Sequence, residues 1–158
     1  MEDLLNQTIR LIEIFPSVQG ETSFTGLTST FIRLASCNLR CTWCDTTYSF
    51  GRGEPHTIRD ILDKVDSFGL QWVCVTGGEP LLQKQAIPLM EELLKKGYKV
   101  SLETSGSLPI DDVPQGVKTI LDIKCPGSGM EKKNLYDNLN ILKEQDEVKF
   151  VIKDREDY

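Results

Sequence analysis

The 158-residue sequence has a single histidine, few aromatic residues and no excess of positive charge. Its 18 lysines and arginines are outnumbered by 24 acidic residues, giving a formal net charge of −6. We therefore expect neither nucleic acid nor a membrane surface as a partner, since both are negatively charged. No apolar run approaches the roughly 20 residues of a bilayer span. The start, Met1-Glu2-Asp3, is acidic where a secretory signal is basic and then apolar, so we expect a cytoplasmic protein.

The pattern of apolar residues predicts one α/β domain over residues 1–158. Strand-like runs alternate with amphipathic helical segments, which is typical of βαβ crossovers and a mostly parallel sheet. The predicted strands are 9–15, ended by Pro16, and 28–35, 72–76, 98–103, 117–124 and 148–153; the predicted helices are 57–68, capped by Thr57 and ended by Gly69, then 86–96 and 133–145.

Polar or glycine-rich residues follow four of the predicted strands, in segments 37–44, 76–80, 103–106 and 122–124. Turn chemistry alone could explain any one of these segments. The carboxyl ends of parallel strands meet at one edge, where ligands bind in such folds. The four segments together therefore predict a site at that edge.

The last predicted strand, 148–153, has no following strand or helix in the sequence to cover it, although Asp154 is placed like the N-cap of a further helix. Apolar edge strands are normally protected. We expect either that the chain is incomplete at its C-terminal end or that another subunit covers this edge.

Three of the five cysteines, Cys37, Cys41 and Cys44, form a C-x3-C-x2-C pattern. Eight residues are too few for two disulfides, and in a reducing compartment such a cluster is more typical of metal binding or redox chemistry. The sequence predicts that this cluster lies on a loop beyond a strand end.

One interpretation is a non-catalytic zinc module, which needs a fourth ligand. Cys74 lies in an apolar strand, where a cysteine usually packs. His56 stands beside Pro55 and is expected in solvent. Cys125, at the start of a loop, is the remaining candidate.

The other interpretation is an iron–sulfur cluster, because three thiolates can hold three irons of a [4Fe-4S] cube and leave the fourth iron open. With Trp43 as its aromatic residue, the pattern C-x3-C-x-aromatic-C resembles the signature of the radical S-adenosylmethionine (SAM) superfamily. The resemblance implies that SAM chelates the open iron, that one electron cleaves its sulfonium, and that the resulting 5′-deoxyadenosyl radical abstracts a substrate hydrogen. It also implies a full or partial (β/α) barrel.

Segment 76–80, Thr-Gly-Gly-Glu-Pro, is similar to the second motif of that superfamily, a strand end whose backbone contacts the methionyl amine of SAM. Glycine suits such a contact because it lets the main chain approach a ligand closely.

Five further segments narrow the resemblance: 17–21, Arg33, 45–48, 102–106 and 121–126. In this order, and over nearly the whole chain, they resemble the 7-carboxy-7-deazaguanine synthase family. The resemblance implies a carbon–nitrogen lyase that contracts 6-carboxy-5,6,7,8-tetrahydropterin to 7-carboxy-7-deazaguanine and releases ammonia, on the route to queuosine and other 7-deazapurines.

The same resemblance assigns roles to individual residues, with the cysteines as ligands of the [4Fe-4S] cluster. It implies that Thr46 binds Mg²⁺, a hard ion that prefers oxygen ligands, and that the Arg33 guanidinium engages the carboxylated substrate. The other implied substrate contacts are Val18, Gln19, Gly20 and Thr76, and the implied SAM contacts are Gly78, Asp122, Ile123 and Lys124.

The family also implies a flavodoxin- or ferredoxin-like electron donor and a homodimer. Its members carry later strands and SAM contacts that this sequence lacks, so we expect a partial barrel without its C-terminal part. A glycyl-radical activase, whose small barrel shares the cysteine triad, is the rival within the superfamily. Glu21 and Glu103 are candidates for a proton acceptor by position alone.

Overall fold

The computed structural model describes residues 2–158 and contains one seven-stranded sheet. Its strand order is β3-β1-β2-β4-β5-β6-β7; β1 is antiparallel to both neighbours and all other pairs are parallel. The elements are α1 (Glu2–Leu5), β1 (Thr8–Val18), β2 (Thr28–Leu34), β3 (Glu54–Thr57), α2 (Ile58–Phe68), β4 (Trp72–Gly77), α3 (Ala86–Lys95), β5 (Lys99–Thr104), β6 (Lys118–Ile123) and β7 (Glu147–Phe150). Within the described residues the sheet is open, with β3 and β7 at its edges.

Helix α2 shows how local sequence fixes an element. The Thr57 hydroxyl accepts from the Asp60 amide while the Asp60 carboxylate accepts from the Thr57 amide, which completes a capping box. Gly69 ends the helix in the left-handed region at φ 64°. The buried side chains of α2 and α3 join those of the sheet in one apolar core. The prediction of both helices is confirmed.

The first strand is longer than predicted, because Pro16 does not end it. Pro16 stays in register opposite Thr30 of β2. Strand β3 pairs with β1 only as far as Leu11, so β1 is an edge strand at Pro16, and a missing amide hydrogen is tolerated on its unpaired side.

The predicted helix over 133–145 is wrong. The segment forms short 3₁₀ turns at Glu131–Lys133 and Tyr136–Ile141 instead. The Asn134 side chain both accepts from the Lys124 amide and donates to the Lys124 carbonyl, and the buried Asn138 donates to the carbonyls of Gly106 and Leu108. These bonds to the rest of the fold replace a helical ladder.

The remaining strands are confirmed to within a few residues, although β7 ends at Phe150 rather than at 153. Apolar side chains at this edge are exposed, as expected: Val148, Phe150, Val151 and Ile152. Asp154 caps a turn rather than a helix, since its carboxylate accepts from the amides of Glu156 and Asp157. Of the acidic start, Met1 lies outside the described residues. Within residues 2–158, no helix has the length and apolar character to cross a bilayer.

Candidate active site

A cavity of about 550 Å³ lies at the carboxyl ends of the parallel strands. Loop residues after β2, the ends of β4, β5 and β6, and the middle of β7 form its wall, and segment 17–21 closes it from β1. Twelve of the thirteen predicted site residues line it: Val18, Gln19, Gly20, Arg33, Cys37, Cys41, Cys44, Thr46, Thr76, Gly78, Asp122 and Lys124. The structure thus brings together residues separated by more than a hundred positions.

The three cysteines are free thiols, partly exposed to the cavity. Burial raises the pKa of Cys37, and the negative charges of Glu79, Cys41 and Cys44 raise it further. Burial also raises the pKa of Cys41, where Lys124 opposes the effect. Three neighbouring thiols facing one cavity fit the three-point ligation that a [4Fe-4S] cluster requires. Among residues 2–158, no three His, Cys, Asp or Glu side chains are grouped to hold a single metal ion.

The loop that carries these cysteines is docked on the turn after β6. The Thr42 amide donates to the Ser128 carbonyl at 3.0 Å, and the Thr42 hydroxyl donates to the Gly127 carbonyl at 2.8 Å. Sequence reasoning missed Thr42, because the C-x2-C spacing specifies nothing about the residues between its cysteines.

The two glycines at the end of β4, Gly77 and Gly78, lie against the backbone that leads into the cysteine loop. A Cβ on Gly77 would stand 2.3 Å from the Leu34 carbonyl oxygen, and one on Gly78 would stand 2.2 Å from that of Ser36 and 2.6 Å from the Cys37 Cβ. The sequence pattern predicts that these glycines allow a ligand to approach the backbone. In the structure, the cysteine loop also requires glycine here, because its own backbone occupies the space that a Cβ would fill.

Glu79 follows these glycines and is fully buried. Its carboxylate accepts from the hydroxyl of Thr104, from the amide and hydroxyl of Ser105 and from the amide of Leu81, at 2.6–3.0 Å. The Glu79 amide donates to the Ser36 carbonyl at 2.9 Å. Glu79 therefore joins the end of β5 to the start of the cysteine loop.

Arg33 projects from β2 into the cavity between aromatic rings. Its Nε donates to the Glu13 carboxylate at 2.7 Å, and its guanidinium carbon lies 5.8 Å and 6.0 Å from the ring centroids of Tyr48 and Phe15. The Tyr48 hydroxyl donates to the same Glu13 oxygen at 3.0 Å. Because Glu13 engages Nε, the terminal nitrogens of the guanidinium are the ones suited to an anionic ligand.

Thr46 precedes a short 3₁₀ turn, Thr47–Phe50, and its side chain makes no capping hydrogen bond to that turn. The turn is held instead by the Thr46 carbonyl, which accepts from the amide and hydroxyl of Ser49. Thr46 lines the cavity, and its hydroxyl lies 3.7 Å from the Cys44 sulfur. A capping role does not account for this hydroxyl.

The side chains of segment 18–20 differ in burial, since Gln19 is buried and Val18 is exposed. Two backbone hydrogen bonds close the loop after them, from the Gln19 amide to the Leu27 carbonyl and from the Gly26 amide to the Gln19 carbonyl, each 2.8 Å long.

Thr76 and Glu103 lie at the ends of the neighbouring strands β4 and β5. The Thr76 hydroxyl donates to the Glu103 carboxylate at 3.0 Å.

At the end of β6, the Asp122 carboxylate pairs with the Lys124 ammonium at 3.0 Å, and both line the cavity. Ile123 points the other way and is buried in the apolar core, so only its backbone is available to a ligand. Lys149 of β7 completes this part of the wall and was not identified from the sequence, because a lysine in a short edge strand is most often a solvent-exposed residue.

The candidates for a fourth zinc ligand lie apart from the triad. Cys74 is buried in β4, where desolvation raises its thiol pKa, and His56 is exposed on β3. Cys125 is buried after β6, and burial raises its pKa together with the negative charge of Asp157. All three stand outside the cavity wall as it is formed by the described residues.

Comparison with known proteins agrees with this geometry. Residues 32–123 match the model of the Radical SAM superfamily. A 7-carboxy-7-deazaguanine synthase of Koribacter versatilis is 47% identical over 95% of this chain and 67% of its own length. The synthase of Thermoplasma acidophilum is 40% identical over 93% of this chain and 71% of its own, and that of Methanospirillum hungatei is 41% identical over 91% and 61%.

Among solved structures, the chain is similar to the crystal structure of QueE from Escherichia coli. The TM-score is 0.81 and the identity 25%, over 95% of this chain and 74% of that one. The chain therefore spans about two thirds to three quarters of the length of most of these relatives.

Proposed function

The chain belongs to the 7-carboxy-7-deazaguanine synthase family of the radical SAM superfamily, and from that premise we propose that its cavity converts 6-carboxy-5,6,7,8-tetrahydropterin to 7-carboxy-7-deazaguanine with release of ammonia. The observation that carries the proposal is the convergence of the three cysteines, Gly78, Arg33 and Thr76 on one cavity of about 550 Å³.

We assign different residues around the cavity to different ligands. Cys37, Cys41 and Cys44 would hold the [4Fe-4S] cluster, which together with bound SAM supplies the radical that abstracts a substrate hydrogen. The rest of the wall would bind and orient the two organic ligands. We assign SAM contacts to Gly78 and to the end of β6, at Asp122, the Ile123 backbone and Lys124.

The pterin would lie on the side of the cavity formed by β1, β2 and β4. The Arg33 terminal nitrogens would pair with its carboxylate, because a guanidinium recognises a carboxylate by two parallel hydrogen bonds. The other proposed contacts come from the backbone or side chains of four neighbouring residues: Val18, Gln19, Gly20 and Thr76.

The Thr46 hydroxyl is the protein ligand that we propose for Mg²⁺. Its support is that Thr46 lines the cavity and that its side chain makes no capping bond. Mg²⁺ retains most of its waters and takes few protein ligands, so one hydroxyl beside a substrate carboxylate suits it. The reductant would be a flavodoxin- or ferredoxin-like protein, and the enzyme would act in the cytoplasm as a homodimer.

The test is anaerobic reconstitution with iron and sulfide, followed by incubation with the carboxylated pterin, SAM, Mg²⁺ and dithionite. Mass spectrometry should detect 7-carboxy-7-deazaguanine and 5′-deoxyadenosine. The C44S variant should yield neither. A protein that carries about four irons per chain and cleaves SAM without forming the deazapurine would refute the substrate assignment.

Two variants test the Mg²⁺ proposal independently of the other assignments. T46V removes the hydroxyl while keeping the shape of the side chain, so Mg²⁺ should no longer stimulate turnover; T46S should retain most of the stimulation. Equal stimulation of T46V and the wild type would contradict the assignment. Tightly held zinc in place of iron would instead favour a non-catalytic metal module.

A further inference from the structure

The loop between β1 and β2 reaches across the sheet to its far edge. We refer to residues 19–27 as the crossing loop. At its centre, the Ser23 amide donates to the Glu147 carboxylate at 3.2 Å, and the Lys118 ammonium donates to the Ser23 hydroxyl at 2.8 Å. Strands β6 and β7 therefore hold a loop that arises from the opposite half of the sheet.

A further contact of the crossing loop lies in the cavity wall. The Lys149 ammonium pairs with the Glu21 carboxylate at 2.5 Å and with the Asp122 carboxylate at 3.4 Å, while Lys124 pairs with the other Asp122 oxygen at 3.0 Å. All four residues line the cavity. Their charges alternate along a continuous chain from the crossing loop to the end of β6.

This row of ion pairs joins the two parts of the proposed site. Glu21 directly follows segment 18–20, assigned above to the pterin, and Asp122 begins the segment assigned to SAM. Asp122 and Lys149 are also paired in the register of β6 and β7, so backbone pairing keeps Lys149 next to Asp122. The freer partner is Glu21, whose side chain is 58% exposed, against 27% for Lys149 and 15% for Asp122.

We propose that Lys149 is a positioning residue that fixes the pterin-binding segment relative to the SAM-binding end of β6. The assignment of the two segments rests on the proposed function; the tether itself rests on the contacts alone. An exposed ion pair contributes little to stability. Lys149, however, is a cation placed between two carboxylates, Glu21 and Asp122, in a cavity wall that also contains Glu103. Removing its charge leaves Asp122 with Lys124 alone and releases Glu21, which has no other ion-pair partner among the described residues, to solvent.

Hydrogen exchange of the protein without added ligands tests the tether independently of chemistry. In K149M, amides of the crossing loop should exchange about tenfold faster than in the wild type, as expected for the loss of one charge-assisted contact. K149R keeps the charge and should restore slow exchange. K153M removes an exposed lysine from the same end of the chain and should leave the loop unchanged. Unchanged exchange in K149M would overturn the proposal.

Kinetics of the reconstituted enzyme test the positioning role. K149M should raise the KM for the pterin about tenfold and increase the 5′-deoxyadenosine formed per deazapurine, with K149R intermediate and iron content unchanged. Faster exchange with unaltered KM and coupling would refute positioning. Faster exchange in K149M, with a wild-type enzyme that makes no deazapurine, would confirm the tether and refute the proposed function.

Discussion

Gly78 shows at the scale of one residue how the end of β4 and the cysteine loop depend on each other. A methyl group on this residue has no room, since the Ser36 carbonyl oxygen would stand 2.2 Å away. That oxygen belongs to the backbone, so the cysteine loop must shift as a whole.

We therefore expect G78A to destabilise the protein by about 1–3 kcal/mol, the usual range for overpacking, and to lower the iron bound after reconstitution. Denaturant unfolding and iron analysis measure the two effects. G51A is the control, because Gly51 has φ −64° and a Cβ there would meet its nearest atom at 3.5 Å. Full iron content in G78A would show that the loop can move without losing its ligand geometry.

Glu79 is a second residue on which the structure of the site depends, and the stability of its variants measures that dependence. One oxygen of its carboxylate accepts from the Leu81 amide and the other from the Ser105 amide. A glutamine in either orientation would face an amide hydrogen with its own NH₂ group. We expect E79Q to lose about 2–3 kcal/mol of stability, as for a buried hydrogen-bonding group left unsatisfied. The exposed α3 substitution E91Q is the control, and equal unfolding midpoints for both variants would contradict the expectation.

Sequence reasoning found the residues that line the cavity more completely than the residues that support them. The cysteines and Gly78 stand in local motifs, and Arg33 was selected by the family resemblance. Thr42, Glu79 and Lys149 act mainly through partners that lie 25 to 128 positions away in the chain. No local pattern encodes such a partner, because it is set by the order of strands in the folded sheet.

Among the secondary-structure elements, local signals were sufficient where they agreed with the tertiary fold. Helix α2 has both of its caps within its own sequence and forms as predicted. The segment 133–145 has apolar residues at helical spacing, yet Asn134 and Asn138 bind backbone groups of distant loops. Those contacts decided the outcome and are invisible to periodicity.

Substitution of Asn138 tests whether these contacts hold the segment 133–145 in its non-helical form. Its side chain is 2% exposed and donates to the Leu108 carbonyl at 2.9 Å and the Gly106 carbonyl at 3.3 Å. N138A removes the donor that pairs with the Leu108 carbonyl, whereas the Gly106 carbonyl keeps the Leu135 amide; it should lower stability by about 1–3 kcal/mol, although alanine favours helix. N140A, at an exposed position of the same turn, should have little effect. An increase in helical circular dichroism in N138A would show instead that the asparagine alone prevents the helix.

For the molecule as a whole, alternation of strands and helices correctly predicted a mostly parallel sheet with its site at the carboxyl edge. It did not predict that β1 would pair antiparallel with both β2 and β3, nor that the crossing loop would reach β7. Both features depend on which strands become neighbours, and that choice is made by packing of the whole chain rather than by any one segment.

The outer edge of β7 is an exposed apolar strand edge, which can serve as a contact between subunits. Phe150, Val151 and Ile152 are 54%, 37% and 46% exposed, and an unpaired apolar strand offers both backbone hydrogen bonds and apolar area to another chain. Of the two expectations for this edge, a later part of the chain or another subunit, the proposed homodimer favours the second, so we expect the edge to contact a second copy. F150K should then shift the protein toward monomer in sedimentation velocity.

Y158K is the matched control, because Tyr158 is an aromatic residue that is 93% exposed but lies away from the β7 ladder. It makes the same aromatic-to-lysine change and should leave the sedimentation coefficient of the wild type unaltered. Since a lysine on an edge opposes strand addition, F150K should act at the edge while preserving the fold, as judged by an unchanged far-ultraviolet spectrum. A wild-type protein that sediments as a monomer at all concentrations, or an F150K dimer as stable as the wild type, would exclude this edge as the interface.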